Sequence, residues 1–446
     1  MTLTFIGHGY VGLVTAAIFA DLGNTVWVIG RSPDKIEALK RGETPFYEPG
    51  LAELVKRNVD ARRLLFTLDY EEPINASTVT FICVGTPPQD DGSADLSQVF
   101  AVAKKIGQSI KNDSYRVVIT KSTVPPGTNR KVASIVRESM DPSYKNKEEI
   151  IDIASCPEFL REGTALNDTL HPDRIVIGTD TEKAKKVLVD LHKPIGRRIV
   201  LTSVETAEMI KYVANSILST KISFANAVAF LCEKVGADVE KVMDGVGLDR
   251  RIGRSFLYPG VGYGGSCFPK DVKALVAFAK EVGYDFKLLK SVDEINKEAM
   301  HHFVQKVVDT VGDKSQKQPL KGKTIGILGL SFKPDTDDLR EAPSLCIIDR
   351  LKAHGATIRA YDPVAMEKAT KIVPDISYTK DAYECASGAD ALLIITEWNE
   401  FRQLDLKRIK KTMNTAIIID GRNIYEPEKM RKIGFIYQSV GRPIIS

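Results

Sequence analysis

Apolar residues in this chain gather in short continuous runs, most ending at a glycine- or proline-rich turn and followed by a stretch with helical spacing. The runs at 3–6, 25–29, 79–84, 116–120, 151–154 and 174–178 predict strands of a sheet covered on both faces, since a parallel strand is apolar throughout while a half-exposed strand alternates. From 205 to 235 the pattern changes: no Pro or Gly interrupts a mostly apolar stretch, Ser203 or Thr202 stands before it as an N-cap, and Gly236 ends it. At 1.5 Å per residue that helix is about 45 Å long, more than one small domain needs, so it bridges domains or forms a subunit interface. A polar linker at 313–322 then precedes further apolar runs at 324–330, 356–361, 391–395 and 416–419, in the same order of elements as the first 90 residues. The predicted fold class is α/β: two Rossmann-like doubly wound domains joined by a long central helix. The expected division is a dinucleotide-binding domain at 1–200, a central helical region at 201–312 and a second Rossmann-like domain at 320–446.

Composition narrows the class. The chain has 446 residues, 43% hydrophobic and 27% charged, with a net charge of +4. These are values of an ordinary globular protein, long enough for two or three domains. The basic pairs Lys56-Arg57 and Arg62-Arg63 read as solvated faces, so no nucleic acid is expected. No apolar run approaches the roughly 18 residues needed to span a bilayer, and the first residues enter a strand at once, unlike a signal peptide. The cysteines Cys83, Cys156, Cys232, Cys267, Cys346 and Cys385 lie far apart without a CxxC pair, the usage of reduced thiols in a cytoplasmic protein, and no metal is expected.

Candidate chemistry sits at the turns. The first strand runs into Gly7-His8-Gly9-Tyr10-Val11-Gly12, then a helix and a second strand, the arrangement that lays a pyrophosphate on a helix N-terminus. The acidic residue that would hold the adenosine ribose is absent from the end of the second strand, which reads Gly30-Arg31-Ser32. Arg31 there suits a 2′-phosphate; the alternative is that Arg31 caps a loop and Asp34 or another group serves the ribose. Loops at 84–88 and 121–128 leave strands at their carboxyl ends, where open α/β sheets bind ligands. Glu158 and Glu162 would share one face if Phe159 begins a helix, as would Lys211 and Asn215 on the long helix. The densest signal is Gly260-Val261-Gly262-Tyr263-Gly264-Gly265-Ser266-Cys267-Phe268-Pro269-Lys270-Asp271. Its glycines leave the backbone open to close approach, and Cys267 falls at the entrance of a helix with Lys270 beside it, surroundings that favour a thiolate. Lys333 and Arg340, in the second α/β region, can bind an anion such as a diphosphate.

These motifs together resemble the nucleotide-sugar dehydrogenases of the UDP-glucose/GDP-mannose dehydrogenase family over nearly the whole chain. The resemblance rests on GHGYVG at 7–12, FYEPGL at 46–51, VGTP at 84–87, KSTVPPGT at 121–128, PEFLREGTA at 157–165, PDRIVIG at 172–178, RIG at 251–253, GVGYGGSCFPKD at 260–271 and FKPDTDDLR at 332–340. It implies a four-electron oxidation of a sugar C6 alcohol to a carboxylate with two nicotinamide cofactors, NAD or, given Gly30, NADP. UDP-glucose is the implied substrate, with GDP-mannose or a UDP-N-acetylhexosamine as the alternative. The implied catalytic residues are Cys267, Lys211, Asn215, Asp271, Glu158 and Thr123. On the cofactor side the resemblance implies Gly7, Gly9, Tyr10, Val11, Gly12, Gly30, Arg31, Lys35, Thr86, Thr123, Glu162 and Arg340. On the substrate side it implies Glu158, Phe159, Leu160, Lys211, Arg251, Phe256, Leu257, Tyr258, Gly264 and Lys333. Arg251 in the family reaches a neighbouring subunit, which implies a homo-oligomer, a dimer first. A two-electron dehydrogenase of the same N-terminal fold, which has no use for Cys267, and a non-catalytic nucleotide-sugar sensor are the competing readings.

Overall fold

A computed structural model of the chain describes residues 1–145 and 147–443; residues 444–446 of the expected C-terminal domain lie outside it. Each apolar run predicted from the sequence is a strand, within a residue or two at its ends. The first sheet has eight strands: β1 (Thr2–Ile6), β2 (Thr25–Ile29), β3 (Leu64–Thr67), β4 (Val79–Ile82), β5 (Arg116–Thr120), β6 (Ile151–Ser155), β7 (Ile175–Thr179) and β8 (Ile199–Thr202). They lie in the order β3-β2-β1-β4-β5-β6-β7-β8. The first six are parallel and doubly wound, with the order reversing at β1 and β4, which is where such sheets bind a dinucleotide. β7 pairs with β6 antiparallel, and β8 then continues parallel to β7. The apolar faces of this sheet are filled by residues such as Phe5, Phe19 and Phe81 on one side and Ile82, Val118 and Val132 on the other.

The second sheet repeats the order with six strands, β9 (Thr324–Leu328), β10 (Thr357–Tyr361), β11 (Ser377–Tyr378), β12 (Ala391–Ile394), β13 (Ile417–Asp420) and β14 (Ile436–Ser439), arranged β11-β10-β9-β12-β13-β14. All of its pairings are parallel. Its turn after β9 is closed by Asp362, a fully buried carboxylate that accepts N–H donors from Leu330 and Ser331 and the indole N–H of Trp398.

The long helix spans Val204–Val235, 32 residues. Ser203 caps its start, its hydroxyl accepting the Thr206 N–H at 3.3 Å, and Gly236 ends it at φ +74°, a left-handed conformation that glycine adopts without cost. The chain divides into two compact units, Met1–Ala214 with Ala277–Val282, and Asn215–Val276 with Gly283–Ser446, so the helix runs from one into the other. Among the described residues no helix is long and apolar enough to cross a membrane.

Candidate active site

In the first unit the glycine turn after β1 is shaped by close packing. A side chain at Gly7, whose φ is +113°, would meet the Cys83 carbonyl at 2.6 Å, and one at Gly12 would meet the Gly7 carbonyl at 2.1 Å. Gly9, by contrast, has nothing within 4 Å of where a Cβ would stand, and it caps the helix Tyr10–Asp21, whose first turn carries no acidic residue and no side-chain cap. The amide groups at that helix start are the donors an anion needs, so the residues present fit a dinucleotide pyrophosphate. Tyr10 packs its ring 3.9 Å from that of Phe46, beside the turn. At the end of β2, a Cβ on Gly30 would approach Ile36 Cδ1 at 2.6 Å and His8 Cδ2 at 3.4 Å. Burial lowers the His8 imidazole below its ordinary value, and the charges of Lys35 and Arg31 lower it further, so both cations act on the same point beside Gly30.

The two strand-end loops are tied together: Thr86 Oγ1 donates to the Thr123 carbonyl at 2.9 Å and Ser122 Oγ donates to the Val84 carbonyl at 2.6 Å. Beside them Lys121, 6% exposed, holds Glu158 Oε2 at 2.8 Å. Glu158 Oε1 accepts the backbone N–H groups of Phe159 and Leu160 at 2.8 and 2.9 Å. Burial pushes the Glu158 carboxyl up, but the Lys121 ammonium and these amides outweigh it, and it lies below its ordinary value. The Phe159 ring lies under two cations, Arg174 at 3.7 Å and Lys211 at 5.3 Å from its centroid. Lys211 is 7% exposed on the long helix, one turn after Glu208.

The condition under which Glu158 and Glu162 would share a face, a helix beginning at Phe159, is not met. Residues 156–164 are loop and turn, and the helix is Ala165–Leu170. Glu158 itself takes the amides that would enter a helix, Gly163 turns at φ +81°, and Glu48 accepts the N–H groups of Gly163 and Ala165 at 2.6 and 2.7 Å. Glu162 is buried, 7% exposed, but its position follows from this turn.

In the second unit the helix Phe268–Glu281 begins directly after Cys267, whose carbonyl accepts the Asp271 N–H at 2.9 Å. Cys267 is exposed; Cys83, Cys156, Cys232 and Cys385 are buried and Cys346 is intermediate. Asp271 is fully buried, accepting Asn215 Nδ2 at 2.6 Å and forming an ion pair with Lys270. The glycine loop before Cys267 is clamped backbone to backbone. A Cβ at Gly264 would lie 2.1 Å from the Glu341 carbonyl, Gly265 packs on Phe332 at φ +82°, and Gly265 N–H donates to the Arg340 carbonyl at 2.9 Å. Arg340 forks onto Asp338, and Lys333 Nζ stands 5.7 Å from the Phe332 ring centroid. Phe256 is held at φ +66°, a conformation a bulky residue avoids unless its surroundings impose it, with Leu257 buried next to it. Tyr258 is exposed under the Arg254 guanidinium, and Arg251 projects into solvent, paired with Asp249. Among the described residues no group of His, Cys, Asp or Glu is arranged to hold a metal ion.

Compared with known proteins, residues 1–196, 205–298 and 326–427 match the NAD binding, central and UDP binding domains of the UDP-glucose/GDP-mannose dehydrogenase family. The chain is 47% identical over 444 residues to the UDP-glucose 6-dehydrogenase TuaD of Bacillus subtilis, spanning 99% of this chain and 94% of that protein. It therefore belongs to the UDP-glucose/GDP-mannose dehydrogenase family. A UDP-glucose 6-dehydrogenase of Rhizobium meliloti is 45% identical, over 99% of this chain and all of that one. Among solved structures, a UDP-glucose dehydrogenase from Pyrobaculum islandicum superposes with a TM-score of 0.90 at 38% identity, covering 99% of this chain and 97% of the other. A UDP-D-ManNAc dehydrogenase from Pyrococcus horikoshii gives 0.84 at 27% identity, covering 99% of each.

Three charged residues of this family member were given no role from the sequence: Lys121 and Glu48, which stand inside the motifs at 121–128 and 46–51, and Glu208. Glu208, 2% exposed, accepts the Gly127 N–H at 2.7 Å, the Asn129 N–H at 2.9 Å and Asn129 Nδ2 at 2.8 Å. It thereby caps the helix Thr128–Ser139, whose own N-cap Gly127 has no side chain to do so. One signal was legible: Glu208, Lys211 and Asn215 stand three and four residues apart, on one helix face otherwise rich in apolar residues.

Proposed function

We propose that this chain oxidises the C6 alcohol of UDP-glucose to the carboxylate of UDP-glucuronate in two steps. The observation that carries the two-step reading is the exposed Cys267 at the end of a side-chain-poor loop, one helical turn before the buried Asp271–Asn215 pair. A nicotinamide dinucleotide held at the glycine turn Gly7–Gly12 would supply the hydride acceptor for each of the two oxidations. In the first, the alcohol proton leaves to a water held by Asn215 and Asp271, and the Lys211 ammonium stabilises the alkoxide as it forms. The Cys267 sulfur then bonds to the aldehyde carbon, and the thiol proton ends on the oxygen, giving a thiohemiacetal. Loss of its hydroxyl proton and of the second hydride leaves a thioester. Glu158, with Thr123, takes a proton from water as that water attacks, the carbon–sulfur bond breaks, and Cys267 is regenerated.

In this reading residues 1–200 carry the dinucleotide through the glycine turn with Tyr10, Val11, Thr86 and Glu162, and residues 320–446 carry the UDP moiety through Lys333. Phe159, Leu160, Phe256, Leu257, Tyr258 and Gly264 shape the substrate side. Reduced nicotinamide formed per UDP-glucose consumed tests it. A ratio near two with sugar acid as product is expected; a ratio near one with free aldehyde refutes the Cys267 steps. No turnover of UDP-glucose beside turnover of GDP-mannose or a UDP-N-acetylhexosamine would move the substrate.

A second cofactor is favoured by a specific observation. Gly30 removes the carboxylate that repels a 2′-phosphate, while Arg31 and Lys35 supply positive charge to the same point. NADP is therefore proposed as a cofactor beside NAD. The active species is proposed to be a cytoplasmic dimer. Its support is an apolar stripe on the long helix, Ile217, Phe224, Leu231 and Val235, exposed by 56, 57, 62 and 77% and spaced to share one face. The outward Arg251 is then available to a partner subunit. Sedimentation of Phe224→Asp tests this: a monomer is expected, and an unchanged dimer would reassign the interface.

A further inference from the structure

The Glu158 pair contains a residue with no role in the mechanism above. Lys121 follows β5 directly, and its ammonium lies 2.8 Å from Glu158 Oε2 and 3.4 Å from the Cys156 carbonyl. With Glu158 Oε1 taken by the Phe159 and Leu160 amides, both carboxylate oxygens are fixed in direction. Titratable groups facing this pair include Cys83, Cys156 and His192. Burial pushes the Cys83 thiol up to about 12 and the Cys156 thiol upward, and it pushes the His192 imidazole down to about 4. All three are neutral at pH 7. Arg174 and Lys211 face the ring of Phe159, the next residue. Of the charges acting on Glu158, the Lys121 ammonium at 2.8 Å lowers its carboxyl most.

We propose that Lys121 is a positioning residue for the hydrolytic half of the reaction, holding Glu158 in the orientation from which it takes a proton from water. This rests on the reading of Glu158 as the base. A carboxylate only 15% exposed and deprived of its cation takes up a proton more readily, and a carboxylic acid cannot accept the proton of the attacking water. Lys121→Met, similar in length and uncharged, removes the ammonium and leaves the packing. Lys121→Arg keeps the charge with a different donor geometry.

The test is the pH profile of kcat for the full-length enzyme with UDP-glucose and NAD, for wild type, Lys121→Met, Lys121→Arg and Glu158→Gln. Lys121→Met is expected to move the acid limb upward by about one pH unit or more and to lower kcat at pH 7 roughly tenfold, with KM for UDP-glucose within about twofold of wild type. Intact-mass measurement during turnover is expected to find the acyl adduct on Cys267 accumulating. Lys121→Arg is expected to restore the acid limb. An unshifted acid limb in Lys121→Met with no adduct overturns the proposal, as does a fall in kcat that Lys121→Arg does not relieve. Should Lys121→Met not fold, Lys121→Gln, which keeps an N–H donor on the carboxylate without charge, carries the same expectation. Glu158→Gln separates the two layers: if it turns over at the wild-type rate, the reading of Glu158 fails, whereas a slow Glu158→Gln beside an unaffected Lys121→Met fails Lys121 alone.

Discussion

Replacing Glu208 by Ala should strip the cap from a helix that has no other. Three donors converge on this carboxylate, the Gly127 and Asn129 amides and the Asn129 side-chain amide, at 2.7 to 2.9 Å. Glu208 is 2% exposed and Asn129 1%, so solvent does not replace the lost acceptor. A buried donor left unpaired costs about 1–3 kcal/mol, and a carboxylate at a helix N-terminus contributes about a further 0.3–1 kcal/mol. Allowing for relaxation around the shortened side chain, the sum is about 4 kcal/mol. For a unit of this size each kcal/mol moves the midpoint by about 2–4 °C, so the first thermal transition should fall by about 10 °C. Glu208→Gln keeps one acceptor oxygen but turns an N–H2 towards the remaining donors, and should lose about half as much. Circular dichroism melting of the three proteins at pH 7.5 measures both. Because Lys211 lies one turn along the same helix, kcat should fall in the same order. A drop of less than about 2 °C in Glu208→Ala would refute the reasoning, since the donors would then have found another acceptor.

Acid should destabilise the first unit through His192. Burial holds its imidazole down to about 4, whereas in the unfolded chain it titrates near the ordinary value. Between those values only the unfolded chain binds the proton, so stability is full above about pH 6.5 and is lost as pH falls towards 4, by about 3 kcal/mol. Urea titrations from pH 7 to 4.5 should find His192→Phe without that loss, and an equally steep loss would reassign it. Arg31→Asp should restore a carboxylate beside Gly30 and cut kcat/KM for NADP at least tenfold relative to NAD, read from initial rates with each cofactor. An unchanged ratio would place 2′-phosphate recognition elsewhere.

The strands and the long helix were legible because burial on both faces writes itself as uninterrupted apolar runs, and because Ser203 and Gly236 mark helix ends by local chemistry. The Cys267 loop was legible for a related reason: a clustered set of glycines has few structural uses, and Gly264 and Gly265 are pressed against Glu341 and Phe332 as close approach requires. What escaped were three charges whose partners lie far away in the chain. Glu48 is 115 residues from Gly163, Glu208 is 81 from Gly127, and Lys121 meets Glu158 across neighbouring strand ends. No local pattern encodes such pairings. That Glu158 and Glu162 do not share a helix face has the same origin, because Glu158 bonding its own following amides and Glu48 arriving from a distance both defeat a spacing rule that assumes a regular backbone. The residues of the candidate site are thus set by turns that their own side chains build, and Lys121 and Glu208, both buried on polar partners, mark where those turns are fastened.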